Sequence, residues 1–366
     1  MTQTAFSAER IFDGTTWHET ATLHVESGKV VRISKGMSGT HVEGAIVPGL
    51  IDLQVNGGGG VLFNNDPSVE ALTTIAAAHA AFGTTAIMAT LITDRPEITT
   101  RAIAAAKAAS ILGLHLEGPH LDPTRKGTHD PALIRPMTEA DLTELLQAAA
   151  ALPHLICTIA PESVSLVQTQ TLADAGITLS LGHSDCSHAT ATAYVKAGAR
   201  MVTHLFNAMS QLQNRAAGLV GAALDDGRLW SGLIADGFHV DPAVLRIALR
   251  AQPQIFLVSD AMSTIGSALT EFTLNGRTIY RANGRLTLSD GTLAGADIAL
   301  IDAVRFVHQS LGLTLEHALQ LASLAPATAL GLTDRGHLQA GAHADFFCLT
   351  PEITAKGCWR GGARVA

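Results

Sequence analysis

The chain has 366 residues, 47% of them apolar and only 15% charged, so it can bury a large core and long disordered segments are not expected. Its formal net charge of −8, without a basic run longer than a pair, argues against a nucleic-acid-binding surface. No apolar run reaches the roughly 18 residues that a transmembrane helix requires.

The cysteines and the N-terminal residues indicate the compartment. The four cysteines are scattered and show no paired spacing: Cys157, Cys186, Cys348 and Cys358. This spacing favours reduced thiols over disulfides or a zinc ribbon. The N-terminal residues lack a basic segment followed by an apolar core, so no signal peptide is expected. We therefore expect a cytoplasmic protein that binds neither membranes nor nucleic acids.

Both ends of the chain predict short β-strands separated by turn residues. The candidate strands are Thr4–Ser7, Ala21–Val25, Lys29–Ile33, Asp345–Leu349 and Ile353–Trp359. Neither group is large enough to bury a core alone. We therefore predict one small β-sandwich domain made of residues 1–45 and 336–366, with residues 46–335 inserted between them as a larger domain.

From Gly44 onward, apolar strands alternate with Ala-rich helices. The predicted strands are Ala45–Gln54, Thr85–Leu91, Ile111–Glu117, Leu155–Ala160, Ile177–Leu181, Arg200–His204, Leu229–Ala235 and Ile255–Asp260. Eight such alternations predict an α/β fold, a (β/α)₈ TIM barrel. A Rossmann sheet is the alternative, but no G-x-G-x-x-G follows the first strand. Asn-Gly and Asp-Gly turns near residues 271–290 predict a β-hairpin insertion after the eighth strand.

Chemically suitable residues stand at the carboxyl ends of four predicted strands. Glu117 ends the third strand, His183 follows the fifth, His204 ends the sixth, and Asp260 ends the eighth. In such a barrel these ends converge on the active site. A carboxylate and two imidazoles with a water predict a hydrolytic metal site, in which Asp260 is either a further ligand or the general base. The competing interpretation is a polar barrel mouth whose residues happen to be titratable.

Further candidates stand on the loops around these strand ends. His129, on the loop after the third strand, is a candidate to contact a substrate carbonyl, although a lone histidine on a loop more often has only a structural role. Asn207 and the backbone amide of Ala208 follow His204 and could bind an anion. Arg215 and His239, after the sixth and seventh strands, could hold a phosphate.

Eight segments are together typical of one enzyme family. They are PGLIDLQVNGGGG (48–60), GLHLEGPHL (113–121), KGTHDP (126–131), LGHSDC (181–186), THLFNAM (203–209), IADGFHVD (234–241), LVSDAM (257–262) and GTLAG (291–295). With these segments in the family's order over nearly its whole length, the chain resembles the N-acetylglucosamine-6-phosphate deacetylases of the amidohydrolase superfamily.

The resemblance implies a role for each candidate. Glu117, His183 and His204 would hold a divalent metal ion, Asp260 would be the acid and base, and His129 would polarise the acetyl carbonyl. The sugar phosphate would be contacted by Asn207, the backbone amide of Ala208, Arg215 and His239, with one of these contacts coming from the neighbouring subunit of a homodimer. Gln54 and Asn56, at the end of the first predicted strand, are further substrate-binding candidates, as is His129. The expected reaction releases acetate and D-glucosamine 6-phosphate.

One departure from the superfamily concerns the number of metal ions. Many relatives carry His-x-His at the end of the first strand, where this chain has Gln54 and Asn56, and amides are poor metal ligands. The end of the fourth strand also lacks a lysine that could bridge two ions. We therefore expect one divalent ion per subunit, Zn²⁺ in the first place, although an imidazole and carboxylate set also accepts Fe²⁺.

Two alternatives remain open from the sequence. The substrate could be N-acetylgalactosamine 6-phosphate or another N-acyl compound, although the predicted anion site favours a sugar phosphate. The chain could also be a non-catalytic scaffold with an amidohydrolase fold, which the intact set of Glu117, His183, His204 and Asp260 argues against.

Overall fold

The computed structural model describes residues 3–366, so the first two residues of the predicted small domain lie outside the described residues. The strands are β1 Gln3–Phe12, β2 Trp17–Glu26, β3 Lys29–Lys35, β4 Thr40–His41, β5 Ala45–Pro48, β6 Leu50–Val55, β7 Gly57–Gly58, β8 Val61–Leu62, β9 Thr84–Ile92, β10 Gly113–Glu117, β11 Leu155–Ile159, β12 Thr178–Leu181, β13 Met201–Val202, β14 Trp230–Ile234, β15 Ile255–Val258, β16 Glu271–Leu274, β17 Arg277–Ala282, β18 Arg285–Thr287, β19 Leu293–Ala296, β20 Phe346–Leu349, β21 Ala355–Arg360 and β22 Ala363–Arg364. The α-helices are α1 Val69–Ala80, α2 Pro96–Ala108, α3 Glu139–Ala151, α4 Leu166–Asp174, α5 His188–Lys196, α6 Gly218–Asp225, α7 Pro242–Ala251, α8 Leu300–Gln309, α9 Leu315–Ala322 and α10 Leu324–Ala329.

The two chain ends share one mixed β-sheet. Its strand order is β22-β21-β20-β5-β1-β2-β3, with β4 beside β1. The ends are joined where β20 pairs antiparallel with β5, opposing Phe346 to Pro48. Phe346 stacks on Trp359 with the ring centroids 4.9 Å apart, and Phe6 meets Phe346 edge-on at 5.0 Å. This buried aromatic contact confirms the prediction of a β domain built from both termini.

A second eight-stranded sheet forms the barrel, in the order β15-β14-β13-β12-β11-β10-β9-β6. The first and last strands of this order, β15 and β6, are joined at their carboxyl ends. There the Asp260 N–H donates to the carbonyl of Gln54 (3.0 Å) and the Asn56 N–H donates to the carbonyl of Ala261 (2.9 Å). The parallel strands therefore close into the predicted (β/α)₈ barrel, and their carboxyl ends lie on one rim.

The insertion after β15 is larger than a hairpin. Strands β16 to β19 form a four-stranded antiparallel sheet that reaches Ala296, beyond the predicted 271–290. Its fully buried Leu274, Ile279 and Leu286 pack in one apolar cluster with Leu62 and Met262. The fourth strand brings the GTLAG segment into this sheet, and part of that segment lines the cavity described below.

Helix boundaries follow the local signals in the sequence. Helix α3 begins after a capping box in which Thr138 and Asp141 exchange hydrogen bonds. The segment between Met209 and β14 contains the short helix α6. Among residues 3–366, no helix combines the length and the apolarity that crossing a bilayer would take.

The chain divides into two compact units. One comprises Met1–Asp52, Ala76–Ile87 and Ala299–Ala366, and the other comprises Leu53–Ile75 and Met88–Ile298. The first contains the mixed sheet and helices α8 to α10, and the second contains all the candidate site residues. The domain boundaries at residues 45 and 335 stay a prediction.

Replacing Gly113, the first residue of β10, by alanine should destabilise the barrel. A Cβ there would lie 2.2 Å from the carbonyl oxygen of His154, so the backbone must shift. Overpacking of this kind costs about 1–3 kcal/mol, which urea unfolding would measure. Gly227→Ala is the matched control, because nothing lies within 4 Å of its added Cβ, and no loss of stability is expected. Equal stability of the two variants would contradict the steric argument.

Candidate active site

Three side chains from strands of the barrel bring their ligand atoms together. Glu117 is the last residue of β10, whereas His183 and His204 each follow their strand by two residues. Oε1 of Glu117 lies 3.2 Å from Nε2 of His183 and 3.0 Å from Nε2 of His204, and the two nitrogens are 3.1 Å apart. All three side chains are buried. The sequence-predicted ligand set is therefore one cluster that could hold a metal ion.

The chemistry of this cluster fits a divalent cation. Nδ1 of His183 lies 2.8 Å from the carbonyl oxygen of Arg125, which can only accept, so Nδ1 carries the proton and Nε2 presents its lone pair. Ligands bound to zinc at 2.0–2.1 Å in tetrahedral geometry are roughly 3.3 Å apart. The observed spacing is close to that value.

The electrostatics of the cluster also favour positive charge. Burial alone would raise the pKa of the Glu117 carboxyl. As long as no cation is bound, His183 and His204 can carry the positive charge beside it, and they outweigh burial and hold that pKa well below its usual range. Burial would lower the pKa of His204, yet the hydrogen bond and charge of Glu117 raise it above its ordinary value. The site therefore attracts a cation to the point where the three ligand atoms meet.

Three of the site residues within two positions of a barrel-strand end have left-handed backbone conformations. The φ angles are 47° at His183, 30° at His204 and 50° at Asp260. L-residues adopt this conformation at a cost of about 1–2 kcal/mol, and such residues concentrate at functional sites. Each of the three follows the end of a barrel strand. The direction of its side chain is therefore set by the turn after the strand and not by the alternation of side chains within the strand.

Asp260 is held by the two amides of the first barrel strand. Its Oδ1 accepts from Nδ2 of Asn56 at 2.7 Å and from Nε2 of Gln54 at 3.1 Å, and the same Nε2 lies 3.3 Å from Oε1 of Glu117. Burial and the charge of Glu117 raise the pKa of Asp260 to about 6. A carboxyl with a pKa near neutrality can both take up and release a proton.

His129 is fixed beside the cluster. Its Nδ1 lies 2.7 Å from Oγ1 of Thr93 and accepts from the Thr93 N–H at 3.3 Å, while its Nε2 lies 3.9 Å from Oε2 of Glu117. Burial and the neighbouring His183 hold the pKa of His129 well below its ordinary value. The ring is therefore neutral near pH 7. Thr93 had no place among the sequence candidates, because a threonine after a strand carries no chemical signal of its own.

A cavity of about 240 Å³ contains most of the predicted site. Its lining includes Asn56, Glu117, His129, His183, His204, Asn207, Ala208, His239 and Asp260. It also includes Thr292, Leu293 and Gly295, which the sequence analysis did not assign. The GTLAG segment (291–295) was the available signal, since it belongs to the family pattern.

His239 is oriented by an acidic neighbour. Its Nδ1 lies 2.6 Å from Oδ2 of Asp236, whose Oδ1 accepts the backbone N–H groups of Phe238 and His239. Burial alone would raise the pKa of Asp236, but the hydrogen bond from His239 outweighs it and lowers that pKa. This arrangement leaves Nε2 as the nitrogen that can contact a ligand. Asp236 is a further residue that sequence reasoning did not assign.

Arg215 lies apart from the other candidates. It belongs to an exposed segment, residues 211–216, and lines a different cavity of about 600 Å³ together with Arg125 and Asp185. Gln54 is likewise absent from the lining of the first cavity and instead bonds to the two carboxylates. The structure thus gathers the metal and acid/base candidates with Asn207, Ala208 and His239, and leaves Arg215 outside.

Comparison with known proteins identifies the family. Residues 45–361 match the amidohydrolase family. The chain is 38% identical over 327 residues to an N-acetylgalactosamine-6-phosphate deacetylase of Shewanella sp. (strain ANA-3), covering 87% of this chain and 82% of that one. It is 36% identical to the human N-acetylglucosamine-6-phosphate deacetylase, covering 87% and 83%.

A solved structure agrees with these relatives. The N-acetylglucosamine-6-phosphate deacetylase of Pasteurella multocida superposes with a TM-score of 0.95 at 30% identity, over 99% of both chains. Amidohydrolases are in general metal-dependent, and this chain has the residues of a possible metal site. The chain therefore belongs to the amidohydrolase family, in the branch that contains the N-acetylglucosamine-6-phosphate deacetylases.

Proposed function

We propose that this protein hydrolyses the acetamido group of N-acetyl-D-glucosamine 6-phosphate to give D-glucosamine 6-phosphate and acetate. The observation that carries the proposal is the convergence of Glu117, His183 and His204 beside Asp260 in one cavity. The 36% identity to the human deacetylase, over most of both chains, supports this substrate.

The residues that would hold the metal are Glu117 through Oε1 and both histidines through Nε2. We assign one divalent ion per subunit, Zn²⁺ in preference to Fe²⁺. When bound, the ion would supply Lewis-acid polarisation of the acetyl carbonyl and would acidify a water molecule. Gln54 and Asn56 support a single ion, because their amide groups already donate hydrogen bonds to Asp260.

The side chains around the cluster account for the proton transfers. Asp260 accepts a proton from the water that attacks the acetyl carbon and returns it to the departing amine nitrogen. Gln54 and Asn56 keep the Asp260 carboxylate in one orientation through both transfers. Nε2–H of His129 donates to the acetyl oxygen as negative charge develops on it.

A separate group of residues would bind the phosphate end of the substrate. Asn207, Ala208 and His239 line the same cavity as the acid/base residue, and none of them belongs to the metal cluster. Contacts remote from the reacting carbon orient the substrate and contribute binding energy. We assign the sugar phosphate to these three residues.

The position of Arg215 is an argument for a homodimer. It is exposed and does not line the cavity of its own chain that holds Asp260. If it contacts the substrate phosphate, as the family resemblance implies, it does so in a neighbouring subunit. We therefore propose that Arg215 is the residue that crosses between subunits.

A second candidate substrate is N-acetylgalactosamine 6-phosphate. The observation that favours it is the 38% identity to the Shewanella deacetylase of that name, somewhat above the 36% identity to the human deacetylase. The two sugars differ only at one hydroxyl, and the proposed proton transfers are the same for both.

Acetate release with metal analysis on the same sample tests the proposed function. We expect turnover of N-acetylglucosamine 6-phosphate, about one metal ion per chain, and loss of activity on chelation that Zn²⁺ restores. N-acetylgalactosamine 6-phosphate, assayed in parallel, decides the sugar preference through the ratio of kcat/KM values. Absence of acetate from both sugars would refute deacetylation, and two ions per chain would contradict the role given to Gln54 and Asn56.

Asp260→Asn should retain the metal ion and lose most turnover. The asparagine Oδ1 can still accept from Gln54 and Asn56, but an amide cannot take up the proton of the attacking water. Removing a general acid and base lowers the rate by about 10²–10⁴, so we expect kcat to fall in that range with little change in KM. Steady-state kinetics and metal content are the measurements. A kcat near that of the wild type would remove Asp260 from this role.

Arg215→Ala should raise KM for the phosphorylated sugar and leave unphosphorylated N-acetylglucosamine unaffected. A hydrogen bond to a charged group contributes about 1.5–3 kcal/mol, so the expected increase is about 10- to 150-fold. Arg101→Ala, another exposed arginine, is the control and should behave as wild type.

Hybrid dimers separate a contact across subunits from one within a chain. The hybrid pairs one Arg215→Ala chain with one Asp260→Asn chain and is isolated with two affinity tags. It has one complete site only if Arg215 of one subunit reaches the site of the other subunit. We expect wild-type KM and about half of the wild-type kcat per dimer. A KM equal to that of the Arg215→Ala homodimer would place the contact within the chain, and failure of the tagged chains to associate would refute the dimer.

A further inference from the structure

We propose that Thr93 is a positioning residue that holds His129 in the tautomer with its proton on Nε2. The tautomer itself follows from geometry, and its use in catalysis rests on the proposed deacetylation. Without this tautomer, His129 could not donate a hydrogen bond to the acetyl oxygen.

The contacts of Thr93 with His129 are made by two different groups. Thr93 follows β9 directly and is 1% exposed. Its N–H points to Nδ1 of His129 at 3.3 Å, and its Oγ1 lies 2.7 Å from the same nitrogen. A backbone N–H can only donate, so Nδ1 must accept. In a neutral imidazole the proton then stands on Nε2.

The surroundings of the opposite ring nitrogen require the same assignment. Nε2 of His129 lies 3.9 Å from Oε2 of Glu117, and the ring borders the cavity. A lone pair on Nε2 would face the carboxylate oxygen and would repel the oxygen of an acetyl group. A proton on Nε2 makes both encounters attractive.

The neighbouring histidine has the reverse arrangement. The rings of His129 and His183 are only 4.4 Å apart, centroid to centroid. Nδ1 of His183 meets a backbone carbonyl, that of Arg125, whereas Nδ1 of His129 meets a backbone N–H. The type of backbone group at Nδ1 therefore makes one imidazole a metal ligand and the other a hydrogen-bond donor.

The space for the Thr93 hydroxyl depends on Gly118. This glycine follows Glu117 directly and has φ +86°, and a Cβ at its position would lie 2.2 Å from Oγ1 of Thr93. The chain thus leaves room for the hydroxyl where the strand that carries Glu117 ends.

The test compares Thr93→Val with Thr93→Ser. Valine keeps the shape and the backbone N–H but loses the shorter contact to Nδ1, whereas serine keeps the hydroxyl. We expect kcat to fall about tenfold in Thr93→Val, less than the 10²–10³ of deleting an oxyanion donor, with KM within about twofold. Thr93→Ser should stay near wild type. Thr85→Val is the control. It makes the same substitution at another buried threonine, near the other end of β9, where the hydroxyl donates to the carbonyl of Leu50, and kcat should stay near wild type.

Nitrogen-15 NMR of the zinc-loaded protein, labelled at histidine, gives a readout that does not depend on activity. The His129 signals are identified by their loss in His129→Gln. We expect an unprotonated Nδ1 and a protonated Nε2 in the wild type. In Thr93→Val only the longer N–H contact of 3.3 Å remains to favour this tautomer, so we expect a measurable share of the other one.

The outcomes distinguish this inference from the proposed function. A proton on Nδ1 of His129 in the wild-type protein, or an unchanged kcat in Thr93→Val, would overturn the role of Thr93. Failure of the wild-type protein to release acetate would instead overturn the deacetylase proposal, and the tautomer would still be measured.

Discussion

The candidate site depends on one buried contact that needs positive charge between its members. A carboxylate oxygen and two imidazole nitrogens, all buried, lie 3.0–3.2 Å from one another in Glu117, His183 and His204. Their lone pairs repel unless positive charge stands between them. The parallel register keeps them together, because β10 pairs with β11, β11 with β12 and β12 with β13. The barrel therefore holds in place a charge arrangement that these side chains would not adopt in water.

Backbone groups then give similar side chains different chemistry. His129 and His183 are both buried and lie side by side, yet one Nδ1 faces an N–H and the other a C=O. Neither backbone group is visible in a sequence motif, since any residue could supply it. The identity of Thr93 matters for its hydroxyl, but its N–H acts through its position alone. Loops after parallel strands can thus assign roles to histidines without changing their type.

The sequence predicted the parts of the site that depend on residue type and strand order. Alternating strands and helices predicted the barrel, and the strand ends predicted the grouping of Glu117 with two histidines and Asp260. The left-handed φ angles at His183, His204 and Asp260 could not be predicted, because asparagine and glycine are the usual residues there. The contact of Gln54 with both carboxylates links residues 63 and 206 positions apart, and no local pattern contains that information.

The two amides on the first barrel strand also bear on charge balance. One divalent ion at the cluster would be neutralised by two buried carboxylates, Glu117 and Asp260. Gln54 and Asn56 add hydrogen bonds to these carboxylates without adding charge. A second divalent ion would leave two positive charges uncompensated in a buried site, which is costly. Amides at these two positions therefore act twice, because they are poor metal ligands and because they donate the hydrogen bonds that hold Asp260.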